Sequence, residues 1–389
     1  MPLCFGEPLR CLLPCTIAAL ALAFPVAADA ESASEPSGPE ISLRYIGDAV
    51  AVVDGGLERR ARGLGRFDIG LSSGDDFLGL SGVKAHIDIM LVHGGGLSDD
   101  LIGDAQVASN VDAPWAVRPF EAWVEAPLGT GIRAKAGYID LNSEFDVQPV
   151  GATFLNSSFG IAPDYSQSGE NGPSIFPVTS PGIVVAIEKP RWSVKFALFD
   201  ALPGDPARPH RFAPPAPFRG GLLLAAEADA KVGSRGEVQF GGWTYTDPFD
   251  RIDGNGTGRS WGSYAQYGHR ILGDEDGDSL KGWIRVGYAA DTVNVINLYT
   301  GGGVRLGNDD RHLGFGVAHA QRGDPAVQQD PGRRAETAFE LTGYYRFAPW
   351  LAVQPDVQYI KNPGWLGTPD ALVLGLRLHL STAFGIGEN

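Results

Sequence analysis

Residues 371–384 read ALVLGLRLHLSTAF. The even positions carry Leu372, Leu374, Leu376, Leu378, Leu380, Thr382 and Phe384; the odd ones include Gly375, Arg377, His379 and Ser381. A period of two puts these sets on opposite faces of one strand. One face is oily and ends on an aromatic ring, and the other is charged. The run before it, 351–360, repeats the pattern, with Leu351, Val353, Val357 and Tyr359 against Gln354, Asp356 and Gln358. Strands of a soluble sandwich usually run about five or six residues. A strand that crosses an outer membrane needs about ten, apolar outward and polar inward.

Working back from this stretch, the same alternation recurs at 45–53, 65–71, 83–92, 120–126, 131–139, 183–187, 192–199, 222–232, 237–246, 260–269, 282–290, 302–306, 313–320 and 338–347. With the last two runs that makes about sixteen, separated by Gly, Asp, Asn and Pro. An even count suits a bacterial barrel, and no segment sustains a helical period. The expected fold is all-β: a transmembrane antiparallel β-barrel of about sixteen strands over 41–384. Two long interruptions, 141–182 and 200–220, exceed the ~12–15 residues of an ordinary loop. In a barrel such loops can fold into the lumen and narrow it.

Residues 1–30 combine Arg10, an apolar run over 12–26 and a small-residue Ala28-Asp29-Ala30 site. This reads as a secretory signal cut after Ala30. A disordered polar lead-in is expected over 31–40, and a short overhang over 385–389. All three cysteines, Cys4, Cys11 and Cys15, fall in the signal. The mature chain then has no disulfides and no thiol chemistry. Its charge is −14, from the −15 of the whole chain less Arg10, Glu7 and Asp29, which argues against nucleic acid as a partner. A mean hydropathy of −0.06 does not oppose a barrel, because every second strand residue faces water.

The strand 120–126 alternates Phe120, Ala122 and Val124 against Glu121, Trp123 and Glu125; the next sets Ile132, Ala134, Ala136 and Tyr138 against Arg133 and Lys135. In a hairpin the polar sets share one face. That face cannot meet lipid, where a charge at the midplane costs ~2–4 kcal/mol. It can line a water path, with Arg and carboxylates bonding hydroxyls and Trp123 covering the apolar face of a pyranose. Any barrel lumen also needs polar residues that simply pair off. Parity adds Lys195, Arg285, Glu340, Arg346 and Arg377 to the inward face, and a one-residue slip would invert each assignment.

Other signals fail on spacing. Asp274-Glu275-Asp276-Gly277-Asp278 lacks the Gly and Glu of a calcium loop. His86 and His93 have no third ligand nearby for zinc. Asp140, Glu144 and Asp146 are not placed across a scissile bond. No cofactor or metal is expected, and no enzyme activity.

Several segments resemble the carbohydrate-selective porins of the OprB-like family: FEAWVEAPL (120–128), AGYIDLNSEF (136–145), FLNSSFGIAP (154–163), GGWTYT (241–246), and the stretch from Glu340 through PWLAVQPDVQYIKNPG (349–364) to 384. The resemblance spans most of the mature chain and weakens between about 247 and 335. It implies a sixteen-stranded bacterial outer-membrane barrel with a central constriction, passing monosaccharides such as glucose by facilitated diffusion. It implies outer-membrane lipid, small neutral sugars and the assembly machinery as partners. Glu121, Trp123, Glu125 and Arg133 match the family's constriction by position, and Asp140, Asn142 and Phe145 follow in its motif. Outer-membrane strands typically end on an aromatic residue; here five residues follow Phe384. The sequence leaves open a channel for other small solutes, a secreted β-rich carbohydrate-binding protein, and a monomer against a homotrimer.

Overall fold

A computed structural model of the chain describes residues 38–205, 207–208, 210–211, 217–218, 220–275 and 277–386. The expected signal and most of the expected lead-in lie outside these residues. Sixteen strands follow in order: β1 (Glu40–Asp54), β2 (Ala61–Ser72), β3 (Lys84–His93), β4 (Ala116–Gly129), β5 (Ile132–Ile139), β6 (Ser180–Lys189), β7 (Trp192–Asp200), β8 (Leu222–Val232), β9 (Gly236–Asp250), β10 (Thr257–Gly273), β11 (Ser279–Ala289), β12 (Ile296–Gly307), β13 (Arg311–Arg322), β14 (Ala335–Ala348), β15 (Leu351–Lys361) and β16 (Ala371–Gly385). Each pairs antiparallel with its sequence neighbours, and β1 pairs with β16 to close the barrel. Closure leaves no unpaired sheet edge, the condition for a sheet to sit in lipid.

Each alternating run falls on one strand, to within a residue at its edges. The strands overrun the runs because backbone pairing continues past the last apolar side chain. The first strand starts at Glu40, inside the expected lead-in, and Glu40 pairs with Gly385, inside the expected overhang.

The connections sort by length. The turns 130–131, 190–191, 233–235, 274–278, 308–310 and 349–350 share one end of the barrel with the start of β1 and the end of β16. The long connections 94–115, 140–179 and 201–221 share the other. Short periplasmic turns and long extracellular loops are the outer-membrane arrangement. Outward-facing Ile69, Ile87, Phe196, Ile284, Leu341 and Leu376 are exposed as an apolar belt. Trp192, Phe347, Trp350 and Phe384 ring it at the short-turn end, and Trp261, Tyr288 and Tyr359 at the other. Such rings mark the two lipid–water boundaries.

One parity assignment is overturned. Phe120 does not face outward: it is 3% exposed inside the barrel, with the Arg66 guanidinium 4.3 Å from its ring centre. Asp88 pairs with Glu121 and Ile89 with Pro119, leaving Phe120 as an extra residue in β4. This β-bulge resets the two-residue alternation. Beyond it, Glu121, Trp123 and Glu125 keep their expected inward side.

The lumen is filled unevenly. The 140–179 loop enters the barrel and packs Phe154 and Phe159 against the β12–β13 wall. That wall is built to receive them. A Cβ on Gly303 would lie 2.9 Å from Phe154, and one on Gly316 2.8 Å from Phe159. Only glycine permits so close an approach. The 94–115 loop joins the same core through Leu97, Leu101 and Ile102, all fully buried.

Candidate functional site

The lumen side of β4 and β5 carries a compact ionic cluster. Arg133 on β5 donates to Glu125 on β4 (3.0 Å), Glu144 on the inner loop (2.8 Å) and Glu188 on β6 (2.8 Å). Lys135 donates to the other Glu144 oxygen, and its ammonium lies 4.3 Å from the Trp123 ring centre. His86 on β3 tilts against the same indole at 5.3 Å. The Asp140 amide donates to Glu121 at 3.1 Å, and the Asp140 side chain accepts from the Asn142 amide at 2.9 Å. The strand-to-loop corner is thus fixed beside Trp123. Glu144 is the pivot of the cluster. Burial pulls its carboxyl upward, but Lys135 and then Arg133 outweigh burial and hold it below the ordinary carboxylate range.

The loop continues along a row of cations. Lys195 on β7 pairs with Glu227 and donates to the Glu144 carbonyl. Phe145 is fully buried, with Lys195 5.6 Å from its ring centre. Arg285 on β11 forks onto Asp146 (2.8 Å) and Asp164 (2.8 Å). On β14, Glu340 accepts the amides of Leu155 (2.6 Å) and Asn156 (3.0 Å). Arg377 on β16 grips Asp48 on β1 through two bonds of 2.7 and 2.8 Å. Losing one partner of such a buried pair costs about 3–5 kcal/mol. These contacts therefore hold the loop in place firmly.

The sequence-derived residues divide by this geometry. Glu121, Trp123, Glu125, Arg133, Lys135, Asp140 and Asn142 come together on one wall. Phe145, Arg285, Glu340 and Arg377 are all buried, and they anchor the loop or the barrel seam rather than meeting open water. Arg346 has the inward parity but sits beside the 349–350 turn, pairing with Asp310 at 3.4 Å, well away from the cluster.

Sequence reasoning missed the adjoining wall of β1–β3. There Arg66 pairs with Asp68 (2.7 Å) and Asp88 (3.8 Å), and Arg44, half exposed, reaches Asp68 (3.3 Å). Parity places Arg66, Asp68 and Asp88 inward within 65–71 and 83–92, and Arg44 lies one residue before the run 45–53, which was the available signal. His86 and His93 are seven residues apart and so face opposite sides; His86 bonds Ser72 inside and His93 bonds Tyr45. No shared metal is geometrically open to them.

This arrangement offers fixed carboxylates, guanidinium and ammonium groups beside an indole, in a bore narrowed by a held loop. It can bind hydroxyl-rich solutes weakly at several points without reacting with them. Comparison with known proteins agrees with the architecture. A family model described as carbohydrate-selective porin, OprB family, matches residues 58–381. Porin B of Pseudomonas aeruginosa is 24% identical over 402 residues, covering 88% of this chain and 87% of that protein. OprB of Pseudomonas putida at high pH superposes with a TM-score of 0.79 at 21% identity, over 89% of this chain and 94% of that one. The outer-membrane channel DcaP of Acinetobacter baumannii matches at a TM-score of 0.56 and 11% identity, over 89% and 98% of the two chains. Likeness at these identities speaks to the fold.

Proposed function

The chain belongs to the carbohydrate-selective porin, OprB family, and from that premise we propose how its lumen handles sugar. The protein is a bacterial outer-membrane porin for facilitated diffusion of small sugars through a β-barrel, a channel rather than an enzyme. Our reading places the sugar path along Glu121, Trp123, Glu125, Arg133, Lys135 and Asp140. The observation that carries it is the half-buried Trp123 indole, flanked by Lys135 and His86 beside the Glu125–Arg133–Glu144 cluster. An apolar ring face bordered by donors and acceptors matches the two faces of a pyranose. Because every cation in the cluster already has a carboxylate, a hydroxyl exchanges one bond for another of similar strength. Binding is then weak enough for release. No bond is made or broken.

Reduction of ion current by glucose in planar bilayers tests this reading. Trp123→Ala should raise the glucose concentration that halves the current about tenfold, equivalent to ~1.4 kcal/mol, with single-channel conductance in salt retained. An unchanged half-blocking concentration removes Trp123 from the path.

A further inference from the structure

Away from the ionic cluster, a second polar site lies where the β3–β4 loop meets the long-loop end of β14. Asp104 is 8% exposed, and neither of its carboxylate oxygens has a well-formed hydrogen bond. Three more oxygens of the same loop are enclosed without partners: Ser98 Oγ, Gln106 Oε1 and Asp112 Oδ1. Asp112 is fixed beside Ser98, whose amide donates to its Oδ2 at 2.9 Å. Ser98 is the side-chain donor nearest Asp104, the charges of Glu336 and Asp112 bear on that carboxylate, and Asp112 is itself held by the amides of Gly96, Leu97 and Ser98. Glu336 is fully buried and already occupied, accepting the amides of Ala105 (2.8 Å), Gln106 (3.0 Å) and Gly364 (2.7 Å).

Among the described residues, no Lys, Arg or His pairs with Asp104, Asp112 or Glu336. Several other buried acids of the lumen have such cations: Asp48 has Arg377, Asp146 and Asp164 have Arg285, and Glu227 has Lys195, whereas Glu340 is held by the amides of Leu155 and Asn156. A buried carboxylate is compensated by a cationic side chain, a metal ion or a proton. Here the first is missing. The second fits the donor set, which is oxygen only and includes two carboxylates, an amide carbonyl and a hydroxyl. Hard divalent cations of the calcium class take six to eight such oxygens in flexible geometry, with water completing the shell.

We propose that Asp104, Asp112, Gln106 and Ser98 form a calcium-class cation site that ties the β3–β4 loop to β14 at the outer mouth of the barrel. The helical turn Ser98–Ile102 ends at Gly103 in the left-handed region (φ +80°). This turn brings Ser98 and Asp104 to the same spot. Glu336 links the site to Gly364 on the β15–β16 loop, so a bound ion would stiffen two lumen-side loops together.

Calorimetric titration with calcium chloride tests the site, using full-length protein in a polyoxyethylene detergent, stripped by EDTA and free of lipopolysaccharide. Expected is one calcium per chain with a dissociation constant on the order of 10⁻⁴ to 10⁻³ M, the range of extracellular calcium modules. Asp104→Asn should weaken it at least tenfold while keeping the heat-dependent gel mobility of a folded barrel. Calcium should also raise the unfolding midpoint by several degrees in the parent protein and not in the variant. Absence of saturable binding by the parent overturns the site, as does equal binding by the variant. A midpoint that rises on lowering the pH from 9 to 6 but ignores calcium also overturns it, because Asp104 and Glu336 would then share a proton.

Discussion

Arg133 shows how far a residue's type predicts its job. Its place on the inward face follows from period two, but its three carboxylate partners do not. Glu188 lies 55 positions away in sequence and Glu144 sits in a segment without periodicity. All three partners engage Arg133 and tie it to Glu144 and the loop, which leaves the half-buried Trp123 as our proposed point of direct contact with sugar. The Glu144 pKa gives this a pH signature. Its carboxyl is held below the ordinary range of a glutamate when the loop is docked. A depressed carboxylate contributes stability above its free pKa and loses it as pH falls through the docked pKa. The loop should therefore stay seated from pH 7 to 5 and loosen below about pH 4, near the value for a free glutamate. Single-channel recording would register this as rising current noise at acid pH. Glu144→Gln should show that noise already at pH 7, and a quiet variant would remove Glu144 as the latch.

At the scale of elements, strand existence was almost wholly legible, because hydrocarbon outside and water inside impose one alternation on every strand. What escaped was local. The extra residue at Phe120 changes no composition or hydropathy, only the count between β3 and β4, and a count needs the partner strand. The 94–115 loop carries no strand alternation, and only Leu97, Leu101 and Ile102 signal its buried turn. Most opaque was the use of Gly303 and Gly316 as sockets. In sequence they look like weak strand residues; their role appears only once Phe154 and Phe159 arrive from a loop more than 140 positions away. Gly316→Val fills the socket. Overpacking of this kind costs about 1–3 kcal/mol, which the barrel can absorb but the loop's seating cannot. The expected outcome is a folded barrel with higher salt conductance and weaker glucose block. Unchanged conductance would mean that the aromatic seat does not set the bore.

Across the whole molecule, the filling of the bore is lopsided. Loop segments cover the β10–β16 side, where Arg285, Glu340 and Arg377 are sealed, while Arg44, Glu125 and Arg133 on the β1–β5 side keep contact with water. On the proposed reading the conducting path would then run off the barrel axis, along the wall that carries Trp123. The seam where β1 meets β16 carries a separate implication. Glu40 and Gly385 are paired neighbours at the short-turn end, so a few added glycines could join them. The chain could then be reopened at another short turn, such as 233–235, as a circular permutant. All sixteen strands would keep their neighbours, and such a rearranged chain should refold in detergent with the parent's conductance. Its failure to refold would show that strand order in time, and not only pairing in space, specifies this wall.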